Sequence, residues 1–352
     1  MRRLGLLTVL VGAALLLAGA PAGACGGLVG ENGTIRLTRT STLAAYHDGV
    51  ERYVTSFEFT GEGEEVGSIV PLPGVPTKVE RGGDWTLQRL EREVRPPVAF
   101  EAASARAGAP TDQAEVLQTA QVDALDITIL RGGGEAVGKW AIDHGFLLTP
   151  DAPKVLDFYS QRSKIFMAAR FDAARARELG QTSGDGTPIM LTIPTPEPWV
   201  PLRILALGLD RAQLVDADVF LLTDHRPALR AGDTGLRLER SDTASPALLA
   251  DLRSDKGMGW VPPAMWLSYL RLDTAAHNVN YDLAVSTHAG VAPSPRMVGI
   301  GLAGGPATQP GAAVAPGGGF PGWDVAGVAG GVLVLVAVLA VARRRARAAD
   351  AS

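Results

Sequence analysis

Apolar and polar positions along this chain follow two rhythms, and the changes between them mark out its elements. Strand-like runs flank Asp48-Gly49 in "TIRLTRTSTLAAYHDGVERYVTSFEFTG", and an Asp-Gly pair in that setting predicts a hairpin. "VTSFEF" reads as strand, although Val54, Phe57 and Phe59 are unevenly spaced for one buried face. Pro71, Pro73 and Pro76 in "GSIVPLPGVPTKVERGG" lack N–H donors, which puts that stretch at a sheet edge or in an extended crossover. A helix is predicted over 84–94, with Asp84 as its cap and Leu87, Leu90 and Val94 on its buried side. "DALDITIL", residues 123–130, alternates as a half-buried strand with Leu125, Ile127 and Ile129 on one face.

Further along, "EAVGKWAIDHG" reads as a helix closing at Gly145. A second helix opens in "TPDAPKVLDFYSQ", with Asp151 as cap and Pro153 in its first turn. "KIFMAARFD" returns to strand alternation. "TPIMLTIPTPEPWVPLRILALG" repeats the earlier proline spacing at Pro196, Pro198 and Pro201, with Val75 matching Val200 and Lys78 matching Arg203. That raises a division into two similar halves. "DADVFLLT" and "LRLER" read as strands, "SPALLADLR" as a short helix, and "MWLSYLRLDT" and "VNYDLAVSTH" as a pair of strands. The fold class expected is α+β, a mostly antiparallel sheet with a few packing helices.

The ends obey another rule. Arg2 and Arg3 precede an apolar run and the small-residue site Ala22-Gly23-Ala24, the pattern of a secretory signal peptide over residues 1–24. Residues 325–342 are uninterrupted apolar sequence, about 27 Å as a helix and close to the hydrocarbon thickness of a bilayer. We therefore expect a transmembrane helix over 324–342, flanked by Trp323 outside and by Arg343, Arg344 and Arg345 inside. A basic tail at 343–352 and a Gly/Pro/Ala-rich tether at 303–323 complete the plan around an exported domain at 25–302. The topology expected is that of a single-pass cell-membrane protein, with its N-terminal domain outside and its tail in the cytoplasm.

Composition sharpens this picture at two points. The whole chain carries −4, but the arginines of leader and tail conceal a more acidic exported part, at about −8. Such a surface does not track phosphate backbones, so nucleic acid is excluded as a partner. The single cysteine, Cys25, stands where the leader ends and cannot close a disulfide within its own chain. Lipid attachment at Cys25, a free thiol and pairing between chains all stay open to it.

Candidate chemistry is sparse. Of the five histidines, none forms an H-E-x-x-H pair, and no Cys/His set has zinc spacing. No G-x-S-x-G elbow occurs, "RGGG" lacks the lysine of a phosphate loop, and "GDGTP" lacks the rest of a calcium loop. "GEGEE" reads as a solvated acidic loop. Asp143-His144 and Asp224-His225 put a carboxylate beside an imidazole in sequence, although neighbouring side chains point apart. Trp199, within the second proline cluster, reads as a core residue before it reads as a surface for a partner.

"ACGGLV", "LAAYHDGVERYVTSFEF", "GSIVPLPGVPTKVERG", "WAIDHGFLLTPDAPKVLDFYSQRSKIFMAARF" and "TIPTPEPWVPLRILALG" together resemble the bacterial domain of unknown function 2330 family. The resemblance extends over most of residues 24–210 and on to about 290. It implies an exported protein, commonly membrane-anchored, and brings no activity, catalytic residue or cofactor. Gly27 stands where members often carry a second cysteine, so a family disulfide is not carried over. Two functions are expected to compete. One is a non-catalytic binding or scaffolding ectodomain whose partners are the membrane and another envelope protein. The other is an envelope hydrolase assembled from Asp143, His144, Asp224 and His225.

Overall fold

The Asp48-Gly49 turn is formed as the sequence predicts. Both residues have positive φ, 51° and 74°, the backbone of a two-residue hairpin, and it joins β2 (Arg36–His47) to β3 (Val50–Thr60). The computed structural model describes residues 28–30, 36–60, 65–94, 114–180, 187–232, 234–288 and 291–306. Cys25, Trp323, Arg343, Arg344 and Arg345 lie outside these residues, as do the leader, the span and most of both the acidic "GEGEE" and the "GDGTP" loops. Among the described residues no helix is long and apolar enough to cross a membrane.

The hairpin is the centre of a seven-stranded sheet. Beyond β3 come β9 (Ile189–Pro194) and β5 (Lys78–Arg81); beyond β2 come β11 (Leu214–Thr223), β14 (Trp266–Ala275) and β13 (Leu236–Thr243). Every pairing is antiparallel except β11 with β2. A five-stranded antiparallel sheet runs β1 (Leu28–Gly30), β4 (Glu65–Leu72), β8 (Ile165–Asp172), β7 (Leu125–Arg131) and β6 (Glu115–Val122). A small sheet joins β10 (Trp199–Val200), β15 (Leu283–Ser286) and β12 (Ala228–Arg230). The architecture is α+β with mostly antiparallel sheets, as expected.

Alternation explains how both faces of the large sheet are buried. Leu43, Ala45, Val54, Phe220 and Leu222 point to one side, under helices α1 (Thr86–Val94) and α5 (Pro246–Ser254). Ala44, Tyr53, Leu191, Val219 and Leu221 point to the other, into a larger core shared with Ile127, Ile129 and Met167 of the five-stranded sheet. Between the two sheets Thr40, Thr42, Tyr53, Thr55 and Ser68 line a cavity of about 10 Å³, room for one water.

Several expectations change under tertiary forces. Pro71 lies within β4, a strand that has two neighbours. However, β1 pairs only with Val66, Gly67 and Ser68, so at Pro71 a partner remains on one side alone, which a proline tolerates. Helix α1 is not capped by Asp84. The Asp255 carboxylate accepts from the backbone N–H groups of Asp84 and Trp85, both at 3.0 Å, and from Thr86 Oγ1 at 2.7 Å. Burial pushes the Asp255 carboxyl up, but these hydrogen bonds outweigh it and hold the group below the usual carboxylate range. Asp151 makes no cap hydrogen bond to helix α3 (Ala152–Ser160) and binds Gly208 N at 3.2 Å instead. The matched residues of the two proline clusters differ in environment. Val75 is 39 % exposed and Val200 2 %, while Lys78 is exposed and Arg203 buried.

The largest correction concerns "MWLSYLRLDT" and "VNYDLAVSTH". They do not pair with each other: the first is β14 of the large sheet and the second holds β15 of the small one. Directly before β15 stands Asp282, wholly buried, whose carboxylate gathers distant groups. Oδ1 accepts from Tyr159 Oη at 2.9 Å and from the N–H groups of Leu202 at 2.7 Å and Arg203 at 2.9 Å. Oδ2 is ion-paired with Arg162, whose guanidinium also donates to Met297 O and lies 4.1 Å from the Trp199 ring centroid. Trp199, stacked on Tyr159, is a core residue at 1 % exposure. Burial pushes the Arg162 guanidinium down to about 10, so it stays charged at neutral pH.

A second buried carboxyl has no such company. Glu51, on the inner face of β3, is fully buried, and neither oxygen has a hydrogen-bond partner. Burial pushes it up to about 8.

Two predictions follow from these carboxyls. Asp282→Ala leaves Arg162 buried and unpaired and should cost about 3–5 kcal/mol in denaturant unfolding. Glu51 ionises near 4.5 in the unfolded chain and about 8 in the folded one. The contribution of Glu51 to stability is therefore fully present below pH 4.5 and falls through the window up to 8, by up to about 1.4 kcal/mol per pH unit. Glu51→Leu should raise the Tm at pH 8 and flatten this slope; an unchanged Tm–pH profile would show that Glu51 is solvated or paired.

Candidate functional site

The outward face of the five-stranded sheet carries the candidate site. Cross-strand register places Asp126 of β7 opposite Arg170 of β8, Thr128 opposite Ala168, and Arg170 opposite Gly67 of β4. Opposed side chains in a sheet share a face. This is the face away from Ile127 and Ile129, which point into the core. Helix α2 (Gly134–Asp143) supplies the facing wall. It ends at His144 and Gly145, whose φ of 82° turns the chain back so that Phe146 N donates to Ala141 O at 2.9 Å.

The wall is aromatic. His144 stacks on Trp140 with ring centroids 3.8 Å apart and planes at 19°, and its Nδ1 lies 2.8 Å from Trp140 O. Phe146 tilts against Trp140 at 6.0 Å and lies across Gly67, where any Cβ would run into its ring. Together Asp126, Thr128, Trp140, His144, Phe146, Ala168 and Arg170 line a cleft of about 250 Å³.

Its electrostatics are uneven. Asp126 Oδ1 accepts from Arg175 Nη2 at 2.8 Å, whereas Arg170 comes no nearer to Asp126 than 3.8 Å, beyond hydrogen-bond reach. Arg175 is further engaged by Asp172 and by Asp123 O. Trp140 is only 4 % exposed, and its indole N–H has no acceptor. The cleft thus combines an aromatic wall with the Arg170 guanidinium, which makes no hydrogen bond to Asp126, an arrangement suited to holding a small polar ligand.

The structure scatters most of the predicted chemistry. Asp143 is ion-paired with Lys139 one turn back, while His144 alone reaches the cleft. Asp224 meets a histidine, but that residue is His47, with Nδ1 2.6 Å from Oδ1. His225 contributes only its carbonyl, to Thr223 Oγ1. The pairs 143–144 and 224–225 follow different sheets and do not converge on one site. At the hairpin turn His47, Asp48 and Asp224 bring three ligand-capable atoms within 4.8 Å of one another, an exposed donor set of one imidazole and two carboxylates. Asp48 Oδ2 stands 3.2 Å from His47 Nε2, so both ring nitrogens are engaged.

Sequence reasoning missed Asp126, Thr128, Arg170 and Gly67. The alternation that marks Leu125, Ile127 and Ile129 as inward marks Asp126 and Thr128 as outward, and that half of the signal was available. Arg170 and Gly67 carry no local signal, because only strand register joins them to the cleft. Gly67→Ala should displace Phe146 and cost about 1–3 kcal/mol, read as a lower Tm. Full stability in that variant would mean the ring has room to move.

Comparison with curated proteins yields no match. Among solved structures, baculovirus P35 aligns with a TM-score of 0.40 and 10% identity, covering 72% of this chain and 97% of that one. A mutated baculovirus P35 after caspase cleavage aligns at 0.34 and 10%, covering 71% and 99%. TM-scores this low do not establish a common fold. The profile of domain of unknown function 2330, described as an uncharacterized protein conserved in bacteria, matches residues 19–289. The aligned span takes in every strand of all three sheets, and the chain belongs to this bacterial family.

Proposed function

We propose that this chain is an exported, membrane-anchored binding protein of the bacterial cell envelope. Its ectodomain holds a ligand or another envelope protein without transforming it. The observation that carries the reading is the cleft on the outer face of the five-stranded sheet, where an aromatic wall stands with the Arg170 guanidinium in one lining. The leader over 1–24 and the apolar run at 325–342 with its arginines support the location and the orientation, N-terminal domain outside and tail in the cytoplasm. The tether ahead of that run would let the ectodomain reach away from the membrane. The acidic balance of the exported part disfavours nucleic acid.

The hydrolase reading draws less support. Its four residues do not assemble. The hydrogen bond that Asp224 does make to a histidine goes to His47, which is not one of the four.

Topology is the first test. In spheroplasts the full chain should sediment with membranes, lose its ectodomain to added protease, and keep a tag at its C-terminus protected. Removal of 324–342 should release it into the soluble fraction. A tag cleaved from outside, or a full chain that never sediments, would overturn the reading.

A further inference from the structure

We propose that the cleft binds a single six-membered ring carrying one carboxylate, seated with the ring against His144 and Phe146 and the carboxylate on Arg170. The inference rests on reading the cleft as a binding site and names the ligand class it takes.

Size comes first. About 250 Å³ falls just below the usual range of small-molecule sites and admits one ring with its substituents, not a chain of them. Shape comes second. His144 lies nearly parallel to Trp140 at 19°, which holds the imidazole as a flat surface, and Phe146 closes the wall at 47° to the indole. An aromatic wall of this kind accepts another ring in an offset-stacked or edge-to-face arrangement.

Charge decides the substituent. Asp126 already has Arg175 at 2.8 Å, so its charge is met from outside the cleft. Arg170 is in a long ion pair with Asp126 at 3.8 Å, and among the described residues no closer carboxylate holds its fork of donors. A guanidinium in that state matches a carboxylate with two parallel hydrogen bonds. The nearby Asp126 disfavours a doubly charged group such as a phosphate monoester. Thr128 lines the same cleft and brings a hydroxyl group to it.

Two sources share this chemistry, a sugar acid and an aromatic acid, and the test separates them. Calorimetric titration of the purified full-length chain would use D-glucuronate, benzoate and D-glucose as probes. We expect at least one of the two acids to bind, and glucose to bind at least about tenfold more weakly. Glucuronate alone would identify a saccharide ligand, and benzoate alone an aromatic acid. Arg170→Gln should weaken the acid about tenfold or more while the Tm stays unchanged. Should that variant fail to fold, His144→Ala, which removes the flat wall at a half-buried position, should weaken the same acid. Equal binding of glucose and the acids, full affinity in either folded variant, or no binding of either acid would overturn the proposal. Loss of acid binding with the spheroplast topology intact overturns this ligand alone. Acid binding by a chain that is not anchored overturns the earlier reading alone.

Discussion

The buried Asp282 carboxylate is the constraint around which much of the molecule is arranged. A charge removed from water is tolerated only when partners with good geometry surround it, and here these come from two separate stretches of chain, with a third packed behind them. Helix α3 and the residues after it bring Tyr159 and Arg162, the turn after β10 brings the Leu202 and Arg203 amides, and the segment near Met297 closes over Arg162. Asp282 N itself donates to Val298 O at 3.0 Å. β15 begins at Leu283, directly after Asp282, and pairs with β10 and β12 in the small sheet, not with β14.

Glu51 shows the opposite treatment of the same chemical group. It sits among apolar neighbours on the central hairpin with no hydrogen bond, so burial acts on it unopposed. Asp282 organises its surroundings through charge, whereas Glu51 is accommodated by remaining protonated. The cleft on the outer sheet lies between these cases. Its Asp126 is satisfied by Arg175, but its Arg170 is held near a carboxylate without touching one.

Legibility in the sequence tracks how local each cause is. The Asp48-Gly49 hairpin, the helix over 86–94 and the inward face of β7 follow from adjacent residues, and all three are present. The capping of α1 was misassigned because Asp255 lies 171 residues from Asp84, and no local pattern shows that the two will meet. The separation of β14 from β15 fails for the same reason. At the site, His144 was singled out for a carboxylate beside it, yet that carboxylate turns to Lys139 and the imidazole works as a wall. Half the floor was written in the alternation of "DALDITIL"; the other half needed the register of β8 against β7 and β4.

The parallel pairing of β11 with β2 has a bearing on how the chain comes to be folded. β2 begins at Arg36, but its outer neighbour spans Leu214–Thr223, and the strands beyond that one arrive only with β13 and β14. A chain made from its N-terminus forms the hairpin early and then carries both its edges open, the β3 edge until β9 emerges and the β2 edge until β11 does. Such high contact order slows folding and exposes these edges to rival strands. A holding chaperone that shields residues 40–46 until β11 emerges would serve this topology better than one acting on the finished domain.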